Sequence, residues 1–366
     1  MSKSRPRHVF CVVTDCHAAS GHYRSLWQRH FYDGLRPVVE RLFVPENIDY
    51  SWARRAVSEP VADTADEHSR TSEQVAAQIL RAHASHGLDA VISYCFARDL
   101  HPDVVRRVQA AGVPWINFFC DSTHRFEEVE SLARVVSLNW FVEHAAIPRY
   151  CALGVPFVCL PYAFNPAELP DCACREPVRS AAFIGMPTGP RVKQLGQLIA
   201  AGSQLEIRGP GWDESSDDAV TRQAMLFHGL GDHLRRQAQW PVVRACANGP
   251  LSDAELPEYL RGCRTVLGLN QGLDRHGQQL SYLKLRDLEF PGHGCCYLTE
   301  HNADVAAALD VGREVLTYHS LEEAAQWLRE LPRETRRAAE IGQAGRRRVL
   351  AEHTWAARLP QLAAAW

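Results

Sequence analysis

Val266-Leu-Gly-Leu-Asn270, a loop of Gly, Gln and His, Ser281-Tyr-Leu-Lys-Leu-Arg-Asp-Leu-Glu-Phe-Pro-Gly-His-Gly294 and then Cys295-Cys-Tyr-Leu298 is the stretch that decides the fold. It reads as strand 266–269, loop, helix 282–290 and strand 295–298, with Ser281 placed to cap the helix amino end. One βαβ unit of this kind implies a parallel sheet with helices on its faces.

Working outward, the same alternation fills the chain. In the first half, β-branched or apolar runs at 9–14, 90–94, 115–119 and 140–142 are predicted strands, with helices at 72–86 and 102–111. Residues 59–70 are polar and irregular and read as an exposed loop. Four prolines in the segment 161–177 exclude a helix or a central strand there, so it reads as a linker. Beyond it come predicted strands 181–184, 205–208, 242–245, 266–269 and 295–298, and helices 191–201, 252–262, 282–290, 321–331 and 334–352. The expected architecture is α/β: two Rossmann-like domains facing across a cleft, at 1–165 and 181–345, with a linker at 166–180 and a final helix at 346–366 packing back on the first domain.

Bulk properties agree with two ordinary globular domains. A chain of 366 residues exceeds a single comfortable core. The net charge of −3, with its 40 Lys and Arg scattered, offers no footprint for nucleic acid. No apolar window reaches the ~20 residues of a membrane span, so the expected location is cytoplasmic. Twelve cysteines are spread along the chain, Cys11, Cys95, Cys120 and Cys159 within apolar strands, and read as buried thiols. Neither Cys172 with Cys174 nor Cys295 with Cys296 has zinc-site spacing, and no metal or resident cofactor is expected.

The chemistry is concentrated around the opening stretch. A helix amino end beside Lys284 and Arg286 suits a diphosphate, because free N–H groups and the positive dipole end favour negative charge. Glu289, about two turns after Ser281, is placed to accept hydrogen bonds from vicinal ribose hydroxyls. The same pattern also fits a surface helix with Arg286 and Glu289 paired at i,i+3. Arg191, Lys193 and Arg208 are further candidate cations. Gly209-Pro-Gly211 follows a strand, but it lacks the third glycine of a dinucleotide fingerprint and is followed by carboxylates, so NAD is not expected. No Asp-x-Asp pair is present to hold a metal-bound diphosphate, which leaves charge stabilisation to protein groups.

The segment Ser281 to Gly294, with Cys295-Cys-Tyr-Leu-Thr-Glu300 and Arg348-Val-Leu-Ala-Glu-His-Thr354, resembles the C-terminal domain of the group 1 glycosyltransferases, in the branch named after the spore-maturation protein CgeB. Phe183-Ile-Gly185, Leu205-Glu-Ile-Arg-Gly-Pro-Gly-Trp212 and Asn248-Gly-Pro-Leu-Ser-Asp-Ala-Glu-Leu-Pro257 extend the resemblance over most of 181–366. It implies a GT-B fold, a nucleoside diphosphate sugar as donor substrate, and a ribose-holding role for Glu289. The first glutamate of the family's E-x7-E pair has no counterpart, so its sugar-contacting role is not carried over. The expected donor-binding set is Gly185, Arg191, Arg208, Gly209, Asn270, Ser281, Tyr282, Lys284, Arg286 and Glu289.

In the first half, Asp15, His17 and His22 follow the first strand, and Asp121 follows the strand at 115–119. All four lie at carboxyl ends of strands, where a general base for an acceptor is expected. Glu143 and His144 occupy a similar place. The expected function is metal-independent transfer of a hexose-like sugar to a hydroxyl or amine of a small-molecule, glycan or protein acceptor. The alternatives are a nucleotide-sugar 2-epimerase and a non-catalytic nucleotide-sugar-binding protein.

Overall fold

The computed structural model describes residues 6–14, 26–48, 50, 64–169, 178–212, 236–252, 254–270, 272–273 and 279–366. The chain divides into two compact units, Met1–Asn165 with Glu352–Trp366, and Pro166–Ala351.

Unit 1 is built on strands β1 (His8–Val13), β2 (Arg41–Phe43), β3 (Ala90–Tyr94), β4 (Trp115–Phe118), β5 (Leu138–Phe141) and β6 (Phe157–Cys159), all parallel, in the order β2-β1-β3-β4-β5-β6. β1, β3, β4 and β5 are buried almost throughout, as strands covered on both faces require. Helix α1 (Thr64–His86) begins inside the expected 59–70 loop; residues 59–63 lie outside the described residues. Asp66 and Glu67 in its first turn and His83 and His86 in its last complement the helix dipole, so its polar start is a helix face. Helices α2 (Pro102–Ala110) and α3 (Ile147–Leu153) complete the covering.

Unit 2 repeats the plan with β7 (Arg179–Ile184), β8 (Glu206–Arg208), β9 (Ala247–Asn248), β10 (Cys263–Leu267), a short antiparallel pair β11 (Gly272–Leu273) and β12 (Gln279–Leu280), then β13 (Cys296–Glu300) and β14 (Leu316–Tyr318). Its six parallel strands run β14-β13-β10-β7-β8-β9. Helices α4 (Gly189–Ala200), α5 (Trp240–Ala245), α6 (Glu255–Arg261), α7 (Arg286–Gly292), α8 (Ala303–Ala308), α9 (Leu321–Glu330) and α10 (Thr335–Glu352) alternate with them. β7 starts at Arg179, inside the segment expected to be linker.

Two local expectations fail for identifiable reasons. The predicted strand 242–245 is the body of α5: Pro241 sits in the first helical turn, where its missing N–H costs nothing, and Trp240 stacks on Trp212 at 5.9 Å. The predicted helix 282–290 starts only at Arg286, and Ser281 is exposed and caps nothing. The reason is Asp287, whose Oδ2 accepts the Lys284 backbone N–H at 2.6 Å, so a first-turn carboxylate reaches back and fixes the helix start.

The expected final segment 346–366 is split. α10 belongs to unit 2 as far as Ala351, and α11 (Trp355–Ala365) belongs to unit 1. Phe164 N–H donates to His353 O at 2.6 Å, and the fully buried Trp355 donates from Nε1 to His30 O at 2.6 Å. Its ring meets Phe31 at 5.1 Å and Trp140 at 5.6 Å, and it packs so closely on Gly34 that a side chain there would collide with it. No helix among the described residues is long and apolar enough to cross a membrane.

Candidate functional site

In an open parallel sheet, ligands bind beyond the carboxyl ends of the strands where the strand order reverses. In unit 2 the chain builds outward from β7 through β8 to β9, then returns to β10 and continues through β13 to β14. The reversal therefore lies between β7 and β10, whose carboxyl ends lead to Gly185 and Asn270.

Gly185 is fixed on several sides. Its N–H donates to Arg208 O at 2.9 Å and its carbonyl accepts Trp212 Nε1 at 2.6 Å. Gly209, at φ +145°, presses its Cα against the Gly185 carbonyl, an approach a side chain would block. A Cβ on Gly185 would lie 3.1 Å from Phe183 Cζ, 3.3 Å from Arg286 Nη1 and 3.4 Å from Arg191 Nη1, so two guanidinium groups and an aromatic ring close around this glycine.

Arg191 stands in the first turn of α4, whose Thr188 cap accepts the Arg191 N–H at 3.4 Å. Its Nε donates to Leu269 O at 3.2 Å and its Nη1 to Met186 O at 3.0 Å, so one side chain spans the reversal from β7 to β10. Burial, then repulsion from Arg286, pushes its pKa down to about 9, against the opposing pull of Glu300 and Tyr297. Arg286 begins α7, and its Nη1 is buried without a hydrogen-bond partner. Two adjacent guanidiniums thus repel one another, and one keeps a buried donor unused.

A polar network holds this arrangement. Asp287 is fully buried; its Oδ1 accepts from Asn270 Nδ2 at 2.5 Å and from Tyr297 Oη at 2.7 Å, while Oδ2 holds the Lys284 N–H. Asn270 N–H donates to Glu300 Oε2 at 2.6 Å. Burial raises the Asp287 pKa to about 6, although the Lys284 N–H, Tyr297, Arg286 and Asn270 all favour its ionised form. Gly268 leaves room for Tyr297 and Thr299, whose hydroxyls would collide with any Cβ there.

Of the expected donor set, Gly185, Arg191, Gly209, Asn270 and Arg286 come together at this edge. Arg208 supplies backbone to it, while its guanidinium lies 5.6 Å from the Tyr259 ring centre. Lys284 places Nζ 3.3 Å from the ring centre of Tyr282, which is buried. Glu289 lies one turn beyond Arg286 on α7 and is buried. Sequence reasoning missed Asp287, Tyr297 and Glu300. A carboxylate directly after Arg286, and a Tyr and Glu within an apolar strand, were the available signals.

In unit 1, Asp15, His17 and His22 lie outside the described residues. Asp121 follows β4 in a left-handed conformation, φ +68°, rare for a residue with a side chain. The turn is pinned by the buried Glu143, which accepts the Ser122 N–H at 2.8 Å, the Thr123 N–H at 2.5 Å and the Thr123 hydroxyl. Asp121 Oδ2 stands 3.6 Å from Arg125 Nη1.

Two comparisons bear on this arrangement. Sucrose-phosphate synthase from Thermosynechococcus elongatus is similar in structure over 97% of both chains, with a TM-score of 0.58 and 12% identity. HepE from Anabaena, in complex with UDP-glucose, is similar over 97% of this chain and 98% of its own, at 0.57 and 12%. A glycosyltransferase from Rickettsia africae matches over 97% and 96%, at 0.54 and 10%. The fold is thus GT-B, two Rossmann-like α/β domains. More narrowly, residues 192–364 match the model of a family described as glycosyl transferase-like. No curated protein matches the chain in sequence.

Proposed function

We propose that this protein is a glycosyltransferase whose donor, a nucleoside diphosphate sugar, binds at the carboxyl edge of the unit 2 sheet. The observation that carries the reading is the pair of guanidiniums, Arg191 and Arg286, that converge on Gly185 where the strand order reverses. A sugar leaves a nucleoside diphosphate with both electrons of the C–O bond, so negative charge grows on the diphosphate in the transition state. Preformed cations in a partly buried site stabilise that charge without reorganising. In this reading Arg191 and Arg286 take the role a divalent ion plays elsewhere, and transfer persists in a chelator. Glu289 holds the ribose, and Asp121 orients or deprotonates an acceptor hydroxyl or amine. The match of residues 192–364 to a glycosyl transferase-like family supports this, as does the binding of UDP-glucose by HepE, a protein of the same fold.

The test is a thermal-unfolding panel of UDP, GDP and dTDP with their sugars. At about 100 times its dissociation constant, the cognate nucleotide adds ~2.7 kcal/mol. For a domain of this size that raises the midpoint by roughly 5–10 °C. A flat response to all three ends the reading. Isomerised donor in place of released nucleotide indicates an epimerase, and binding with no release for any acceptor indicates a non-catalytic protein.

A further inference from the structure

Asn270 is 6% exposed, and its side-chain amide is half used. Its Nδ2 lies 2.5 Å from Asp287 Oδ1, 3.1 Å from Tyr297 Oη and 3.3 Å from Thr299 Oγ1. Its Oδ1 is buried and has no hydrogen-bond partner. The orientation of the amide follows from chemistry: an ionised carboxylate only accepts, so the NH2 group must face Asp287. Tyr297 reinforces this, because its hydroxyl proton goes to Asp287 and only its lone pairs remain for Nδ2. Turning the amide over would set its oxygen against a carboxylate. Oδ1 is thus held as an acceptor that needs a donated hydrogen, and a buried acceptor left without one is costly.

Its position says what donates. The residue before Asn270 is Leu269, whose carbonyl is bound by Arg191 Nε. A fixed hydrogen-bond acceptor therefore stands one residue from an anion-binding guanidinium, at the strand reversal, and a ligand serving both carries a hydroxyl close to a phosphate. A nucleoside diphosphate sugar has such hydroxyls on either side of its diphosphate. Glu289, on the Arg286 side, takes the ribose in the proposed donor site, which leaves the transferred sugar for Asn270.

We infer that Asn270 is a specificity-determining residue: its Oδ1 accepts a hydrogen bond from a hydroxyl of the transferred sugar, and Asp287 and Tyr297 are positioning residues that fix the amide for this task. The inference rests on the donor-site reading. A site built around a hydroxyl rejects an analogue that lacks it far more strongly than an apolar pocket rejects a size change. Sugar identity is then read at the carboxyl end of β10, separately from the charge recognition by Arg191 and Arg286.

The experiment is calorimetric binding of UDP, UDP-glucose and the 2-, 3-, 4- and 6-deoxy UDP-glucoses to the full chain, wild type and Asn270→Ala, with GDP and dTDP and their glucose derivatives as the alternative series. The expected result is that UDP-glucose binds the wild type more tightly than UDP, that one deoxy sugar loses about tenfold, and that Asn270→Ala loses the same tenfold for UDP-glucose but nothing further for that deoxy sugar. Its loss for UDP, which reads any disturbance of the network that Asn270 shares with Asp287, is the smaller of the two. If Asn270→Ala does not fold, the deoxy series on the wild type decides alone: at least one member must lose about tenfold. Equal affinities across that series, or an Asn270→Ala loss that is the same for UDP and UDP-glucose, overturns the assignment to the sugar and leaves the donor site standing. Failure of every nucleotide to bind the wild type overturns both.

Discussion

The two sheets have the same number of strands, the same parallel pairing and one reversal of strand order each, yet they finish their carboxyl edges differently. At the unit 1 reversal, between β1 and β3, Thr14 donates its hydroxyl to Asp99 at 2.6 Å, and the same oxygen accepts the Phe96 N–H at 3.1 Å. On the neighbouring β4, Asn117 uses both ends of its amide: Oδ1 accepts from Ser93 Oγ at 2.6 Å and Cys95 N at 3.1 Å, and Nδ2 donates to Cys95 O. At the unit 2 reversal, Asn270 leaves its oxygen unbonded and Arg286 leaves a buried N–H unbonded. Thr14, Asp99 and Asn117 thus find partners within the first edge, whereas Asn270 and Arg286 at the second keep groups in reserve. Similar scaffolds therefore diverge where unsatisfied polarity is retained, and that is where a ligand gains most by binding.

The largest effect expected of this contrast is at Arg286. Arg286→Ala should weaken binding of the cognate nucleoside diphosphate by about 100-fold, the scale of a charged hydrogen bond lost from a partly buried site. Titration calorimetry checks it, and a change under threefold would place Arg286 with the self-satisfied groups of unit 1.

A second effect concerns acid. The folded pKa of Asp287 lies above its unfolded value of 3.8, at about 6, so its contribution to stability is fully present below pH ~4 and is lost as pH rises through 6. Wild type should therefore lose roughly 2–3 kcal/mol relative to Asp287→Asn between pH 4 and pH 7, the free energy of holding one proton more tightly in the folded chain than in the unfolded one. Urea unfolding of unit 2 at the two pH values measures it. An unchanged difference would mean that Asp287 titrates as an ordinary carboxyl, and the network around it would lose its claim to be a desolvated core.

The smallest effect is at Asp121. Asp121→Gly relieves the left-handed backbone and should leave unit 1 equal or more stable by about 1 kcal/mol. A large loss of stability in denaturant titration would show that the Asp121 side chain maintains the turn, and the two edges would differ less than their hydrogen bonds suggest.

Sequence patterns disclosed the central strands where buried parallel strands carry a nearly continuous apolar run, as at 9–13 and 90–94; the strand expected at 266–269 lies at Cys263–Leu267, where Arg264 interrupts the run. Val242 and Val243 imitate such a run, but the preceding Pro241 and the stacking partner Trp212 make it helical, and only tertiary contact supplies the second of these. Arg286 and Arg191 were legible as cations beside strand ends. Asp287 was not, because a carboxylate directly after Arg286 resembles a surface ion pair; its hydrogen-bond partners Asn270 and Tyr297 arrive from beyond β10 and from β13.

The return of α11 to unit 1 bears on how the chain is made. A ribosome releases the first domain long before Trp355 is synthesised: at ~5–20 residues per second the interval from residue 165 to residue 355 is roughly 10–40 s. Throughout that time the slot beside Phe31, Gly34 and Trp140 stands open, an oily surface in a nascent polypeptide. The amino-terminal lobe thus matures last, after the lobe that follows it in translation, and chaperones that shield aromatic clefts have a defined period in which to act.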